Sequence, residues 1–160
     1  MTPEQARHLF KYKDGVLFWK NPSNPNKTPV GSPAGTRHER GYIHIQYMRR
    51  IYKAHKLIFL MHHEYTPTVV DHADGDTGNN SIENLRATSF AGNARNAKRR
   101  ADNSSGVKNV CWHKRIKKWG VTVTIDRKIK HFGYYDDLDF AALVAHEARA
   151  KYHGSFARHA

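Results

Sequence analysis

A chain of 160 residues with 39% hydrophobic and 11% aromatic side chains can bury one core of ordinary size or two small ones. Its 27 Lys and Arg against 14 Asp and Glu leave a net charge of +13 before any histidine is protonated, so the expected partner is a polyanion, nucleic acid first. No apolar run is long enough to span a bilayer, no basic-then-apolar leader opens the chain, and the lone Cys111 permits neither an internal disulfide nor a multi-cysteine zinc site. A protein of the reducing cytoplasm with no membrane partner is expected.

In chain order, TPEQARHLFKY opens with Thr2, Pro3 and Gln5, a capping pattern for a short helix. GVLFWK and GYIHIQY read as strands, separated by the Pro/Gly/Asn-rich loop NPSNPNKTPVGSPAG. IYKAHKLIFLMHHEY spaces Ala54, Leu57, Ile58 and Met61 at helical intervals, giving one apolar stripe. His55, His62 and His63 on that segment suit metal ligation or phosphate contact in type, but no second ligand motif accompanies them, so they read as packing or solvated residues. Val69–His72 reads as a short strand, ADGDTGNN as a tight polar loop and Leu85–Thr88 as a returning strand. Ser89 caps a helix running through Arg100. The run from Lys98 to Gly106 reads as a linker, which sets the expected domains at residues 1–101, with a core motif at 69–100, and 102–160.

Within the strand–loop–strand–helix unit, Asp71 and His72 fall on opposite faces of a strand end, and Asn93 falls early in the helix, so a carboxylate, an imidazole and an amide are expected to converge. DGDTGNN is not an EF-hand loop, because its sixth position is Asn79 rather than glycine and its twelfth is Leu85 rather than glutamate. Asn79 and Asn80 read as turn builders.

The spacing DH, then asparagine twelve residues after the histidine, then another nine later, closely resembles that of the HNH nucleases of the ββα-metal fold. The flanking GVLFWK, Ala34-Gly35, Gly41-Tyr42 and AHKLIFLMH are similar to the N-terminal part of phage and intron-encoded homing endonucleases of that family, so the resemblance spans about residues 10 to 100. It implies that His72 is the general base toward water, and that Asp71 and Asn93 are oxygen ligands of one Mg²⁺ or Mn²⁺ ion per site. Asn84 then holds the loop and the orientation of His72 among the catalytic group. The family's last motif position is named for histidine; asparagine there disfavours zinc and favours a harder ion. Arg86 and Arg95 read as phosphate clamps or as solvated charges.

Beyond residue 101, Val107–His113, Trp119–Ile125 and Lys128–Tyr134 are strand-like. Asp136 or Asp137 caps a helix with an apolar stripe of Phe140, Ala141, Val144, Ala145 and Ala148, and Gly154 stops it. Eight Lys or Arg stand against one Asp between Lys108 and Lys130, so the open face of a three-stranded antiparallel sheet is expected to be cationic and to enter the major groove of duplex DNA. SGVKNVCWHKRIKKW together with HFGYYDDLDFAALVAHEARAKYHGSFA resembles the APETALA2-type DNA-binding domain of plant ethylene-response factors, over about residues 104 to 157. That resemblance implies Arg115, Lys117, Trp119, Thr122, Arg127 and Lys130 as DNA-facing residues, with Trp112 and Phe132 part of the core.

The expected fold class is therefore α+β: a ββα-metal HNH domain followed by a small three-stranded sheet packed on one helix. The expected function is a site-directed DNA nickase of homing type. Its rivals are a DNA-binding regulator with a degenerate nuclease domain and a structural virion-associated protein. One site per chain implies a single-strand cut by a monomer, unless two chains act on opposite strands.

Overall fold

A computed structural model describes residues 1–97, 99 and 102–157, apart from the side chain of Ser155. The chain divides into two compact units, Met1–Thr88 and Ser89–Ala160. Both mix short helices with small antiparallel sheets.

The first unit begins with helix α1 (Pro3–Leu9), where the Thr2 hydroxyl accepts from the Gln5 amide and the Gln5 side chain accepts from the Thr2 amide, closing the expected capping box. Strands β1 (Phe10–Lys13) and β2 (Val16–Trp19) follow as a hairpin turned by Asp14 and Gly15, both at positive φ. β3 (Thr36–Arg37), β4 (Ile43–Tyr47) and β5 (Arg50–Lys53) form a second antiparallel sheet, and helix α2 (Ala54–His63) leaves directly from β5. β6 (Val69–His72) and β7 (Leu85–Thr88) pair as a third, with a single 3₁₀ turn, Ile82–Asn84, leading into β7. Leu57, Ile58 and Met61 of α2 bury against Phe10, Leu17, Trp19, Ile45, Val70 and Leu85, so the helix is the post on which all three sheets pack. β1 and β5 lie in segments that the sequence pattern assigns to a helix end or stripe. Apolar residues that alternate over only four positions are too few to separate a strand from a helix flank.

The second unit opens with helix α3 (Phe90–Arg95), whose Ser89 cap accepts from the Gly92 amide as expected. It ends at Arg95 with Asn96 as its C-cap, earlier than Arg100; Lys98, Arg100 and Ala101 lie outside the described residues. Strands β8 (Val110–His113), β9 (Lys118–Ile125) and β10 (Lys128–Tyr135) form an antiparallel sheet in the order β10-β9-β8. Helix α4 (Leu138–His153) is capped by the Asp137 carboxylate on the Phe140 amide and stopped by Gly154 at positive φ. Ala141, Ala145 and Ala148 of α4 bury against Val110, Val121, Val123 and Ile125, small residues that let helix and sheet approach closely. Phe140 departs from the expected stripe: it is 52% exposed.

Register also corrects the expected cationic face. Val121, Val123 and Ile125 face α4, and a strand's period of two puts Trp119 on that same side, where it packs on the core cluster. Lys130 pairs with Val123, and its ammonium stands 5.5 Å from the centre of the Tyr152 ring on α4. Trp119 and Lys130 therefore belong to the helix side. The opposite side carries Thr122, Thr124, Ile129, His131 and Tyr134. Arg115 and Lys117 lie in the turn between β8 and β9, and Arg127 in the two-residue turn between β9 and β10, so these cations stand at the strand ends.

Candidate active site

The β6–β7 hairpin assembles the site residues of the first unit. Alternation along β6 sends Val70 into the core against α2 and His72 to the same side, while Asp71 turns to the other. Both polar residues are buried, Asp71 at 6% exposure and His72 at 4%. A buried carboxylate needs a partner, and the register supplies one: Arg86 stands directly opposite Asp71, with its Nε and Nη2 donating to Asp71 Oδ2 at 3.1 and 3.0 Å.

His72 is held from two directions. Its Nε2 lies 2.9 Å from Asn80 Oδ1, and because an amide oxygen only accepts, Nε2 carries the proton and Nδ1 is the basic nitrogen of the neutral ring. On the other side, the His55 ring of α2 meets the His72 ring edge-on, with centres 4.9 Å apart, and Tyr42 approaches both at 5.3 and 6.1 Å. His55 is itself buried, and burial pushes its pKa down to about 3, helped by the nearby charges of His72, Lys53, Lys56 and His44.

The loop between the strands is stapled by side chains. Asn84 Oδ1 accepts from the Asp74 amide, while its Nδ2 donates to Asp74 Oδ1 and to the Asn79 carbonyl. Burial works to raise the Asp74 pKa, but hydrogen bonds from the Asp76 amide, Asn79 and Asn84 outweigh it and leave the carboxyl below its ordinary value. Asn84 thus bonds across the loop, while a contact to His72 comes from Asn80, which the sequence pattern marks only as a turn builder. Asn80 is ambiguous in sequence because an NN pair in a polar loop is what a turn alone would also use. His55 carries the signal of a polar residue at a core-facing helical position.

The remaining candidates lie in the second unit. Asn93 is exposed on α3, and Arg95 pairs with Asp126 at 3.3 Å. Among the described residues no group of three or more His, Cys, Asp or Glu gathers as a ready metal cage. A carboxylate and amide oxygens are hard donors, and such a set fits a hard dication that keeps most of its own waters.

The family model described as HNH endonuclease matches residues 52–95, which run from β5 through α2, β6 and β7 to the end of α3. Protein 3.8 of Escherichia phage T7 is 36% identical over 89 residues, 56% of this chain and 73% of that protein. No solved structure matches the chain. With a phage relative aligned over most of its length and the family's model seated on the elements that carry Asp71, His72 and Arg86, the chain belongs to the HNH endonuclease family, with the HNH domain at residues 52–95.

Proposed function

We propose that the protein is a metal-dependent DNA endonuclease, a site-directed nickase of homing type. The observation that carries the reading is the His72 imidazole, buried and bonded through Nε2 to Asn80, next along β6 to the buried Asp71 that pairs with Arg86 across the hairpin. In that form Nδ1 takes a proton from an attacking water, and Asn80 stabilises the imidazolium that results, since a fixed acceptor on Nε2–H bonds more strongly to the charged ring. Arg86, held by its bond to Asp71, brings its positive charge to a phosphoryl oxygen, with Arg95 in the same role. Asn84 keeps the loop that carries Asn80 in place. Asp71 and Asn93 are the oxygen donors for one Mg²⁺ or Mn²⁺ ion, and when bound that ion supplies positive charge to the phosphoryl and leaving oxygens. The residues of this site produce a 5′-phosphate and a 3′-hydroxyl.

Domains at residues 1–101 and 102–160 divide the work in this reading. The second, similar to the APETALA2-type domain in its three strands and one helix, binds duplex DNA through Arg115, Lys117 and Arg127 at the strand ends and Thr122 on the open face. A monomer acting alone cuts one strand.

One observation favours the alternative, a DNA-binding regulator with a degenerate nuclease domain: Asp71 Oδ2 already accepts two N–H groups from Arg86. A carboxylate can accept from an arginine and ligate an ion at once, so the Arg86 bond does not by itself exclude the ion. The deciding experiment incubates the protein with supercoiled phage DNA and Mg²⁺ or Mn²⁺, then maps ends. Open-circular product with 5′-phosphate ends supports the nickase. DNA binding without cleavage in either metal selects the regulator.

A further inference from the structure

His55 is the buried polar group that the proposed chemistry does not use. It occupies the second position of α2, is 3% exposed, and its Nδ1 is buried without a hydrogen-bond partner. An aromatic hydrocarbon of similar shape would fill that space without the penalty of an orphaned nitrogen, so packing alone gives imidazole no advantage here. What His55 does contribute is a rigid edge. Its ring meets His72 at 4.9 Å with planes 66° apart, and the Tyr42 ring backs it at 5.3 Å while Lys53 Nζ caps Tyr42 at 4.5 Å.

We propose that His55 is a positioning residue for His72: with Tyr42 it fixes the plane of the His72 ring, while Asn80 fixes its far nitrogen. The second torsion of a histidine side chain is broad and weakly quantised, so the plane of the ring is set by what packs on its edge and faces as well as by the bond at Nε2. A ring wall at its edge narrows that torsion and aims Nδ1 in one direction. His55 can do this beside a base that becomes cationic in turn because it stays neutral itself: burial holds its pKa at about 3, and a second positive imidazole at this separation would oppose proton uptake by His72. The activity part of the test rests on the nickase reading; the orientation of His72 does not.

Two kinds of variant separate the wall from the nitrogen. His55→Phe keeps the ring and removes the nitrogens; His55→Met fills the volume without a ring, with His55→Leu as the substitute if Met unfolds the domain. Each is assayed by plasmid nicking, which yields kcat and KM, and by the NMR resonances of the His72 ring, assigned by their loss in His72→Gln. The expected result for His55→Met is a kcat lower by about tenfold or more, with KM within about twofold, and displaced or broadened His72 ring signals. His55→Phe should restore most of both. Unchanged His72 signals in His55→Met overturn the proposal. So does a His55→Phe protein as impaired as His55→Met, because the nitrogen rather than the ring would then be at work. A wild-type protein that binds DNA but cuts none would end the nickase reading while leaving the NMR comparison to decide on positioning.

Discussion

Asn80 Oδ1 and His72 Nε2 stand 2.9 Å apart with both residues almost wholly buried, so the tautomer of the candidate base is set by a loop residue eight positions along the chain. Removing the amide should therefore disturb reactivity before it disturbs the fold. Asn80→Ala is expected to lower kcat by about tenfold to a hundredfold with DNA affinity within a few-fold, as for other residues that orient a reacting group. Asn80→Asp, which keeps an acceptor at the same place, should recover much of that rate. Equal rates in Asn80→Ala and the parent protein, measured in single-turnover nicking, would remove Asn80 from the site.

Loss of the base itself is the larger effect. His72→Ala should reduce nicking on the order of a hundredfold or more, since a positioned general base contributes at least that much, while DNA binding by mobility shift stays within a few-fold. Near-parental cleavage would reject His72 as the base.

Asp71 tests the ion. Chelation should stop cleavage, and Asp71→Ala should abolish it at every Mg²⁺ or Mn²⁺ concentration. Arg86→Ala should leave metal dependence in place but lower stability by about 3 kcal/mol, because it takes the guanidinium away from a buried carboxylate. Urea unfolding and a metal titration of nicking read the two effects separately. Undiminished cleavage in chelator would exclude the metal-dependent chemistry.

Protonation of His55 should show as a pH dependence of stability. Its pKa is about 3 in the folded protein against 6.5 for a free side chain, so the unfolded chain binds the extra proton between those values. Stability is then full above about pH 6.5 and falls as pH drops toward 3, by up to about 1.4 kcal/mol per pH unit from this residue. His55→Phe should flatten the urea-unfolding profile between pH 4 and 6.5 relative to the parent. Parallel profiles would mean that His55 titrates normally in the fold.

Arg115, Lys117 and Arg127 sit in turns at the strand ends of the second unit, where extended side chains can reach a phosphate backbone. Replacing all three by Ala should weaken duplex DNA binding and lower the slope of log affinity against log salt by about 0.9 for each phosphate no longer neutralised. Lys130→Ala, on the helix side of the sheet, should change that slope little. A triple variant with the parental slope would place DNA elsewhere on the protein.

The sequence alone specified the parts whose determinants are local. The Thr2 capping box, the Ser89 and Asp137 caps, the stop at Gly154 and the two strands that carry Asp71 and Arg86 all rest on residues within a few positions of one another. The Asp14-Gly15 hairpin is equally local, and its residue pair is the strongest short-range hairpin signal, although it is absent from the elements expected above. The turns at Met48-Arg49 and Asp126-Arg127 use the same positive φ values without glycine, so nothing in their composition marks both positions. Only the tertiary structure could decide what lies across space. It chose Asn80 over Asn84 for the contact to His72, brought His55 from α2 against that ring, and set Arg86 opposite Asp71 as its ion-pair partner. It also turned Trp119 and Lys130 toward α4, because side-chain chemistry names a partner but the strand's period of two, locked in register by Val121 and Val123 in the core, decides the face.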